Sequence, residues 1–284
     1  MSATARAKVL KVDLREGKTS KVEEEVAVES PVRIYINGRL VVTLVASPYM
    51  LDELAVGHLF SEGILKDKAA ISEVLVAGTD IHVRLKDGAR PRLGQRGLRR
   101  FITTACGSSA DHFEVTPVNM KELSVSYSVC PEDIEQMVAG LNSSSRVFKA
   151  TGGIHSAAIF QEMRMVAFSE DVGRHNAVDK AVGVSILKDV DFERSVLVTS
   201  GRQTADIVAK AARMRIPISV SISGPVDSGI RLAERAGLTL ICFARGGRFN
   251  IYTAPERIRL SGAMLAADRS RGALDGDASL KDTS

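Results

Sequence analysis

The second half of the chain alternates between short apolar runs and longer amphipathic runs. Residues 131–141 predict a helix, and two apolar runs joined by a short polar turn predict an antiparallel strand pair after it. Helix and strand then alternate three times between Gly173 and Ala244. Such alternation favours an α/β fold, a layered sandwich in which helices cover a largely parallel sheet.

The first half has a different pattern and predicts a smaller α+β unit. Asn37 and Gly38 separate two apolar runs, as in a tight β-hairpin, and a second strand pair is expected over residues 73–88. Between the pairs, Ser47 and Pro48 are expected to cap and open a helix that ends at Gly63. We therefore divide the chain into a poorly anchored leader (1–30), a small α+β domain with a cysteine loop (31–120), an α/β domain (121–260) and a loosely held tail (261–284).

Composition excludes several classes of protein. No run of about 18 apolar residues is present, and the N-terminal segment lacks the apolar centre of a signal peptide. Three cysteines, an odd and sparse set, argue against a disulfide framework and fit a reducing compartment. We predict a cytoplasmic protein without a membrane span.

One of these cysteines lies where a thiol could react. Cys106 sits in the Gly/Ser-rich stretch 103–110, close after five arginines in residues 90–100. Nearby guanidinium groups favour the thiolate, which is the nucleophile and the sulfur acceptor. Taken by itself, Cys106 fits an inert loop cysteine as well as it fits a reactive one. The arginine run fits either a solvated loop or a patch for phosphates or an acidic partner, whereas Cys130 and Cys242 fit structural roles.

A second candidate segment, residues 243–253, leaves the last predicted strand. Its two glycines let the backbone approach a ligand, and Arg245 and Arg248 could grip phosphates. Phe243 or Phe249 could stack on a planar ring. The alternative is a surface turn in a terminal hairpin.

Three further polar residues follow the same edge of the predicted sheet. His175 begins a helix with Asp179 on the same face, His155 follows two glycines, and Arg202 precedes a helix. Ligands of such sheets bind at the carboxyl ends of the strands. Whether these three residues touch a ligand, or His155 and His175 are hydrogen-bonded core histidines, stays open at this point.

Several long motifs together closely resemble the formate dehydrogenase accessory proteins of the FdhD/NarQ family. They are TTACGSS, TGGIHSAA, EDVGRHNAVDKAVG, SGRQTADIVAKAA and GLTLICFARGGRFNIYT, with LDELAVGHLFSEGI before them. They occur in the family's order and extend over about residues 32–258.

The resemblance implies a sulfurtransferase that accepts persulfide sulfur from a cysteine desulfurase. It implies that the sulfur passes to the molybdenum or tungsten cofactor, as bis-molybdopterin guanine dinucleotide, before the cofactor enters formate dehydrogenase. It further implies a cytidine-deaminase-like fold for the larger domain and a homodimer. The family pattern assigns the persulfide carrier to Cys106, and cofactor binding to Phe243, Ala244, Arg245, Gly246, Gly247 and Arg248.

The sequence departs from the family at one position. Where the family carries a second cysteine in a C-x-x-C pair, this chain has Ser109. The persulfide therefore cannot pass between two thiols of this loop unless Cys130 takes part. Direct transfer of the sulfur through Cys106 alone remains chemically sufficient. The alternative is a non-catalytic chaperone that only holds the cofactor.

Two other functions fit less well. A zinc deaminase needs a glutamate two residues after its histidine and a pair of cysteines, but Ala177 follows His175 at that spacing and residues 200–206 contain no cysteine. We therefore expect no metal site. Nucleic-acid binding is not expected either, because no aromatic residues interleave the arginine run.

Overall fold

The computed structural model describes residues 2–92, 101–102 and 122–261, which form three sheets and the helices that pack on them. The strands are β1 (Thr4–Asp13), β2 (Lys18–Ala27), β3 (Ser30–Ile36), β4 (Arg39–Ala46), β5 (Ile71–Ala77), β6 (Asp80–Leu85), β7 (Phe101–Ile102), β8 (His155–Gln161), β9 (Arg164–Asp171), β10 (Ser195–Thr199), β11 (Ile218–Ser221), β12 (Thr239–Arg245) and β13 (Arg248–Thr253). The helices are α1 (Leu51–Ser61), α2 (Pro131–Ser144), α3 (Arg146–Thr151), α4 (Arg174–Leu187), α5 (Ala205–Arg213) and α6 (Asp227–Ala236). None of the helices in these ranges combines the length and the apolar character needed to cross a membrane.

The large sheet has the order β13-β12-β11-β10-β8-β9. The predicted α/β class is confirmed, but the sheet is mixed rather than largely parallel. Only β10, β11 and β12 run parallel, because β8–β9 and β12–β13 are hairpins whose short turns can join only antiparallel strands. The deaminase-like arrangement of these layers stays a prediction.

The smaller five-stranded sheet, with the order β5-β6-β3-β4-β7, confirms both predicted strand pairs. Asn37 and Gly38 have φ angles of 47° and 80°, the left-handed conformation that a primed hairpin turn requires. β7 lies parallel to β4, with Ile102 opposite Leu44. The strand that precedes the cysteine loop in sequence is therefore attached at the β4 edge of this sheet.

The two sheets share a core. One cluster of buried apolar side chains joins both sheets to α1, α4, α5 and α6, and a second cluster packs α2 on the opposite face of the large sheet. Alternate residues of β10 divide between the two clusters, Leu197 in the first and Val198 in the second. The small sheet and the large sheet consequently form one packed body rather than separate cores.

Helices α1 and α4 cross at unusually close range. A Cβ atom on Gly57 would lie 1.7 Å from the carbonyl oxygen of Asp179, and one on Gly183 would lie 1.9 Å from that of Glu53. No side chain larger than hydrogen fits at either position. Glycine at both places lets the backbones touch, and α1 of the smaller unit is thereby held against the larger one.

The expected leader contains a long antiparallel hairpin of β1 and β2, in which Val9 lies opposite Val22 and Lys8 opposite Glu23. Its poor anchoring stays a prediction. One sequence expectation is wrong here. Ser47 and Pro48 do not open a helix. Helix α1 begins after Met50, and the Ser47 hydroxyl instead accepts a hydrogen bond from the Val172 amide, 3.2 Å away.

Candidate functional site

The carboxyl ends of the three parallel strands lie at one edge of the large sheet, here called the carboxyl edge. Because β8 and β9 pair antiparallel, β8 begins and β9 ends at the same edge, with His155 opposite Asp171. Helices α4, α5 and α6 all begin there, after Gly173, Thr204 and Val226. Helix N-termini present backbone N–H groups and positive dipole ends, which favour anions. The edge is therefore suited to a negatively charged ligand.

The loops of the carboxyl edge are fixed to one another. The Gln203 amide donates to the Gly224 carbonyl, the Val226 amide donates to the Gln203 carbonyl, and the Phe243 amide donates to the Ser223 carbonyl, over 2.9–3.1 Å. These three bonds connect the loop after β10 to the loop after β11, and the loop after β11 to the end of β12. A ligand at this edge would meet a preorganised surface.

Phe243 adopts a strained backbone conformation at the end of β12. Its φ angle is 56°, in the left-handed region that bulky residues rarely adopt, and it lies in a bulge between Cys242 and Arg245. The side chain is 39% exposed, and its ring packs on Gly224, where an added Cβ would lie 2.8 Å from the ring. Strain of this kind concentrates at functional sites. The bulge turns an aromatic face outward at the carboxyl edge.

The rest of the segment forms the β12–β13 turn. Gly246 and Gly247 have φ angles of 60° and 71°, and Arg245 and Arg248 pair across the turn with exposed side chains. Ala244 is buried in the core, so it can offer a ligand only backbone atoms. The structure thus brings the expected cofactor-binding residues into one hairpin, with two cationic side chains in solvent.

His155 lies beside two arginines. Its Nδ1 is 3.3 Å from the Ser200 hydroxyl, which also accepts a hydrogen bond from the Ser156 amide. Burial, with the positive charges of Arg174 and Arg202, lowers the pKa of His155 below its ordinary value. Arg174 is a residue that the sequence reasoning missed, although its place at the first position of α4 was a usable signal.

His175 is also held neutral. Burial, followed by the charges of Arg174 and Lys210, lowers the pKa of His175 to about 3, and its Nε2 is 4.0 Å from a carboxylate oxygen of Asp206. Within the described residues the buried Nε2 has no hydrogen-bond partner. Asp179, expected on the same helix face, binds His58 instead, with 3.0 Å between Nδ1 and Oδ2. Burial therefore favours a neutral His175 ring, which lies largely covered at the carboxyl edge.

The three cysteines differ in what the structure shows. Cys106, Ser109 and residues 93–100 of the arginine run lie outside the described residues. Cys242 is fully buried in the apolar core, and this burial raises the pKa of its thiol to about 12, in keeping with the structural role expected for it. Cys130 is half-buried at the start of α2, and its amide donates to Asp133 over 2.7 Å. Among residues 2–92 and 122–261, no group of three His, Cys, Asp or Glu side chains is arranged to hold a metal ion.

A model of the FdhD/NarQ family matches residues 27–259. The chain belongs to the FdhD/NarQ family. The sulfur carrier protein FdhD of Staphylococcus aureus strain MRSA252 is 32% identical over 250 residues, 87% of this chain and 94% of that protein. The protein of the same name from strain Newman is 33% identical over the same shares. The resemblance in the sequence motifs is thereby confirmed.

A solved structure agrees with this assignment. The crystal structure of a formate dehydrogenase accessory protein from Desulfotalea psychrophila superposes with a TM-score of 0.73 at 28% identity. The match covers 91% of this chain and all of that one. The structural likeness therefore extends over most of the chain, to a protein described as a formate dehydrogenase accessory protein.

Proposed function

We propose that this protein carries sulfur from a cysteine desulfurase to the molybdenum or tungsten bis-molybdopterin guanine dinucleotide cofactor before formate dehydrogenase receives it. Cys106 is the proposed carrier, on the strength of its motif. The observation that carries the proposal is the carboxyl edge, where the strained Phe243 bulge adjoins exposed arginines and three helix N-termini. This combination suits a ligand with phosphates and a planar base.

The chemistry of the edge matches such a ligand. Arg245 and Arg248 can bind phosphate oxygens through their guanidinium forks, and the exposed ring of Phe243 offers a stacking face for guanine. Burial and neighbouring positive charges lower the pKa values of His155 and His175, which favours neutral rings that can both donate and accept a hydrogen bond. The cofactor is the cargo of this reaction.

The sulfur moves in two balanced steps. The Cys106 thiolate attacks the terminal sulfur of the desulfurase persulfide, so that one S–S bond forms, another breaks, and the desulfurase leaves as a thiolate. The terminal sulfur then passes to the metal of the cofactor. Release of that formally neutral sulfur as a sulfide ligand takes two electrons, which the metal supplies as it is oxidised, and Cys106 returns to the thiolate.

The last described residue before Cys106 lies at the β4 edge of the small sheet. Cys106 follows Ile102 by four residues, and four extended residues span at most about 14 Å. Ile102 lies opposite Leu44 in β4, and the next residues of β4 lead to Ser47, which contacts the turn before α4. This connectivity supports the proposal that Cys106 acts on a ligand at the carboxyl edge.

The proposal includes partners and a location. A cysteine desulfurase supplies the sulfur, formate dehydrogenase receives the sulfurated cofactor, and the protein acts as a homodimer in the cytoplasm. The description of the D. psychrophila protein as a formate dehydrogenase accessory protein supports the link to that enzyme.

Intact-mass measurement tests the carrier role. Purified protein is incubated with a cysteine desulfurase and cysteine, and we expect a gain of one sulfur atom per chain. The variant Cys106→Ala should gain none, whereas the matched control Cys130→Ala should gain sulfur as the wild type does. Sulfur uptake by Cys106→Ala would contradict the carrier assignment.

The same experiment separates the second candidate function. Ser109, in place of the family's second cysteine, favours a chaperone that holds the cofactor without carrying sulfur. In that case the wild-type chain would gain no mass, yet it would still bind the cofactor.

A further inference from the structure

Gly224 lies in the loop after β11 and faces the side chain of Phe243. A Cβ atom added to Gly224 would lie 2.8 Å from Cζ of the Phe243 ring, 3.2 Å from Cε1 and 3.6 Å from Cε2. The outer end of the ring therefore rests on the bare backbone of the glycine. The same side chain is 39% exposed, so the ring is both supported by this loop and open to a ligand.

The backbone at position 224 does not require a glycine. Its φ angle lies outside the left-handed region that favours this residue type. The obstacle to a side chain at Gly224 is the end of a phenylalanine side chain, whereas at Gly57 and Gly183 the obstacle is backbone. Glycine at position 224 is thus explained by the room that it leaves for the Phe243 ring.

The loop that supports the ring is itself held in place. The Ser223 amide donates to the Ser221 hydroxyl at 3.0 Å. The Gly224 carbonyl accepts from the Gln203 amide at 3.1 Å, and the Ser223 carbonyl accepts from the Phe243 amide at 3.0 Å. The loop after β11 consequently fixes Phe243 twice, through its backbone amide and through its ring.

The support under the ring matters for a ligand with a planar base. An aromatic side chain binds such a base by stacking, which depends on where the ring lies and how it is tilted. Arg245 and Arg248 follow Phe243 in the same hairpin and expose cationic side chains suited to phosphates. A displaced ring would therefore weaken contact with the base and leave contact with the phosphates unchanged.

We propose that Gly224 is a positioning residue for the binding of a purine nucleotide at the carboxyl edge. It acts through Phe243, because the missing side chain lets the ring lie where the base stacks on it. This inference rests on the proposed function, in which the nucleotide is the guanine dinucleotide end of the cofactor. It names the residue that adapts the edge to the base rather than to the phosphates.

The test measures nucleotide binding to the full chain by isothermal titration calorimetry. Two probes are compared: guanosine diphosphate, which has a base and phosphates, and pyrophosphate, which has no base. Gly224→Ala should weaken binding of guanosine diphosphate at least about fivefold, the lower end of what stacking on an aromatic side chain contributes. Its affinity for pyrophosphate should stay within about twofold of the wild type, because the guanidinium groups are unaffected.

A double-mutant cycle shows whether Gly224 acts through the ring. Phe243→Leu removes the planar face and should also weaken binding of guanosine diphosphate at least about fivefold. Adding Gly224→Ala to Phe243→Leu should change the affinity by less than about twofold, since residues that act through one contact are not additive. Losses that multiply in the double variant would overturn the positioning role.

The matched control is Gly140→Ala on α2. A Cβ atom at this position would lie 3.2 Å from Cζ of Phe160, so it too meets the end of a phenylalanine ring. Phe160 lies toward the opposite end of β8 from His155, away from the carboxyl edge. Gly140→Ala should bind both probes like the wild type, and an equal loss in Gly140→Ala and Gly224→Ala would overturn the inference.

Thermal unfolding distinguishes positioning from a structural role. The midpoint of Gly224→Ala should lie within about 4 °C of the wild type, because a flexible ring can move away from the added methyl group. Unchanged binding of guanosine diphosphate, a parallel loss of pyrophosphate binding, or a variant that does not fold would each overturn the inference alone. A wild-type chain that binds neither probe would instead overturn the proposed function together with it.

Discussion

Single side chains near the carboxyl edge have pKa values far from their ordinary ones. Burial lowers the pKa of His175, and it raises the pKa of the Glu53 carboxyl on α1. Burial and the neighbouring Asp52 raise the pKa of Glu53 to about 7, although the charge of Lys180 acts in the opposite direction. Its Oε2 atom is buried and, within the described residues, lacks a hydrogen-bond partner. A carboxyl in this state makes the stability of the fold depend on pH.

Glu53→Gln should remove that dependence. Because the folded pKa lies above the unfolded value, the folded state binds more protons between about pH 4.5 and pH 7, and stability falls as the pH rises through this range. Denaturant unfolding should show the variant gaining stability over the wild type at pH 8 but not at pH 4. The control is Glu234→Gln at an exposed position of α6, and its stability should match that of the wild type at both pH values. A Glu53→Gln protein with the wild-type pH profile would contradict the assignment.

At the scale of elements, the crossing of α1 and α4 decides how the smaller sheet is attached. Gly57 and Gly183 each face a backbone carbonyl of the opposite helix. A change of side-chain rotamer could not make room for an added Cβ at either glycine, because the nearest atoms belong to the backbone of the other helix. The separation of the helices is therefore fixed by the two glycines.

Gly57→Ala should destabilise the protein by about 1–3 kcal/mol, the usual cost of overpacking, because the helices must move apart. Thermal and denaturant unfolding would measure the loss. The matched control is Gly153→Ala, whose added Cβ would meet the Ala27 side chain at an ordinary 3.6 Å, with a change below about 1 kcal/mol. Equal effects in the two variants would count against the crossing as the cause.

Over the whole molecule, a buried charge cluster joins α1, α4 and α5. Lys210 donates to Asp179 at 2.8 Å and to Glu62 at 2.6 Å, and the Ser61 hydroxyl binds the same Asp179 carboxylate. The pKa of Asp179 is lowered by Lys210 and His58 despite its burial, and the pKa of Lys210 is raised by both carboxylates. The Lys210 ammonium and the two carboxylates therefore stabilise the junction of the three helices only when all of them are present.

Lys210→Met should cost about 3–5 kcal/mol at pH 7, since it leaves the buried Asp179 carboxylate without its cation. The folded pKa of wild-type Asp179 is depressed, so its contribution is present above the unfolded value of about 4 and is lost as the pH falls through the folded pKa. The difference between variant and wild type should therefore narrow toward pH 3. Exposed Lys66→Met should change stability by less than about 0.5 kcal/mol. A constant difference from pH 7 to pH 3 would rule out this electrostatic origin.

The local sequence pattern predicted most of the helices and strands, because each of them depends on residues within one turn or one strand. Pro131 at the start of α2, the Asn37–Gly38 turn and Gly237 at the end of α6 are examples where the residue type dictates the backbone. The same local reasoning failed at Ser47, whose hydroxyl and backbone have partners in a distant part of the chain. It also could not show that Phe243 sits in a bulge.

The sequence by itself determined the succession of helices and strands, the family, and the segments that end at the carboxyl edge. Only the tertiary structure decided that Asp171 accepts from the Ser47 amide, 124 positions away in sequence, and that Gly57 and Gly183 mark a helix crossing. The reason is physical: periodicity and turn chemistry are set by short-range sterics and hydrogen bonds, whereas a buried carboxylate finds its donors only when distant segments pack together.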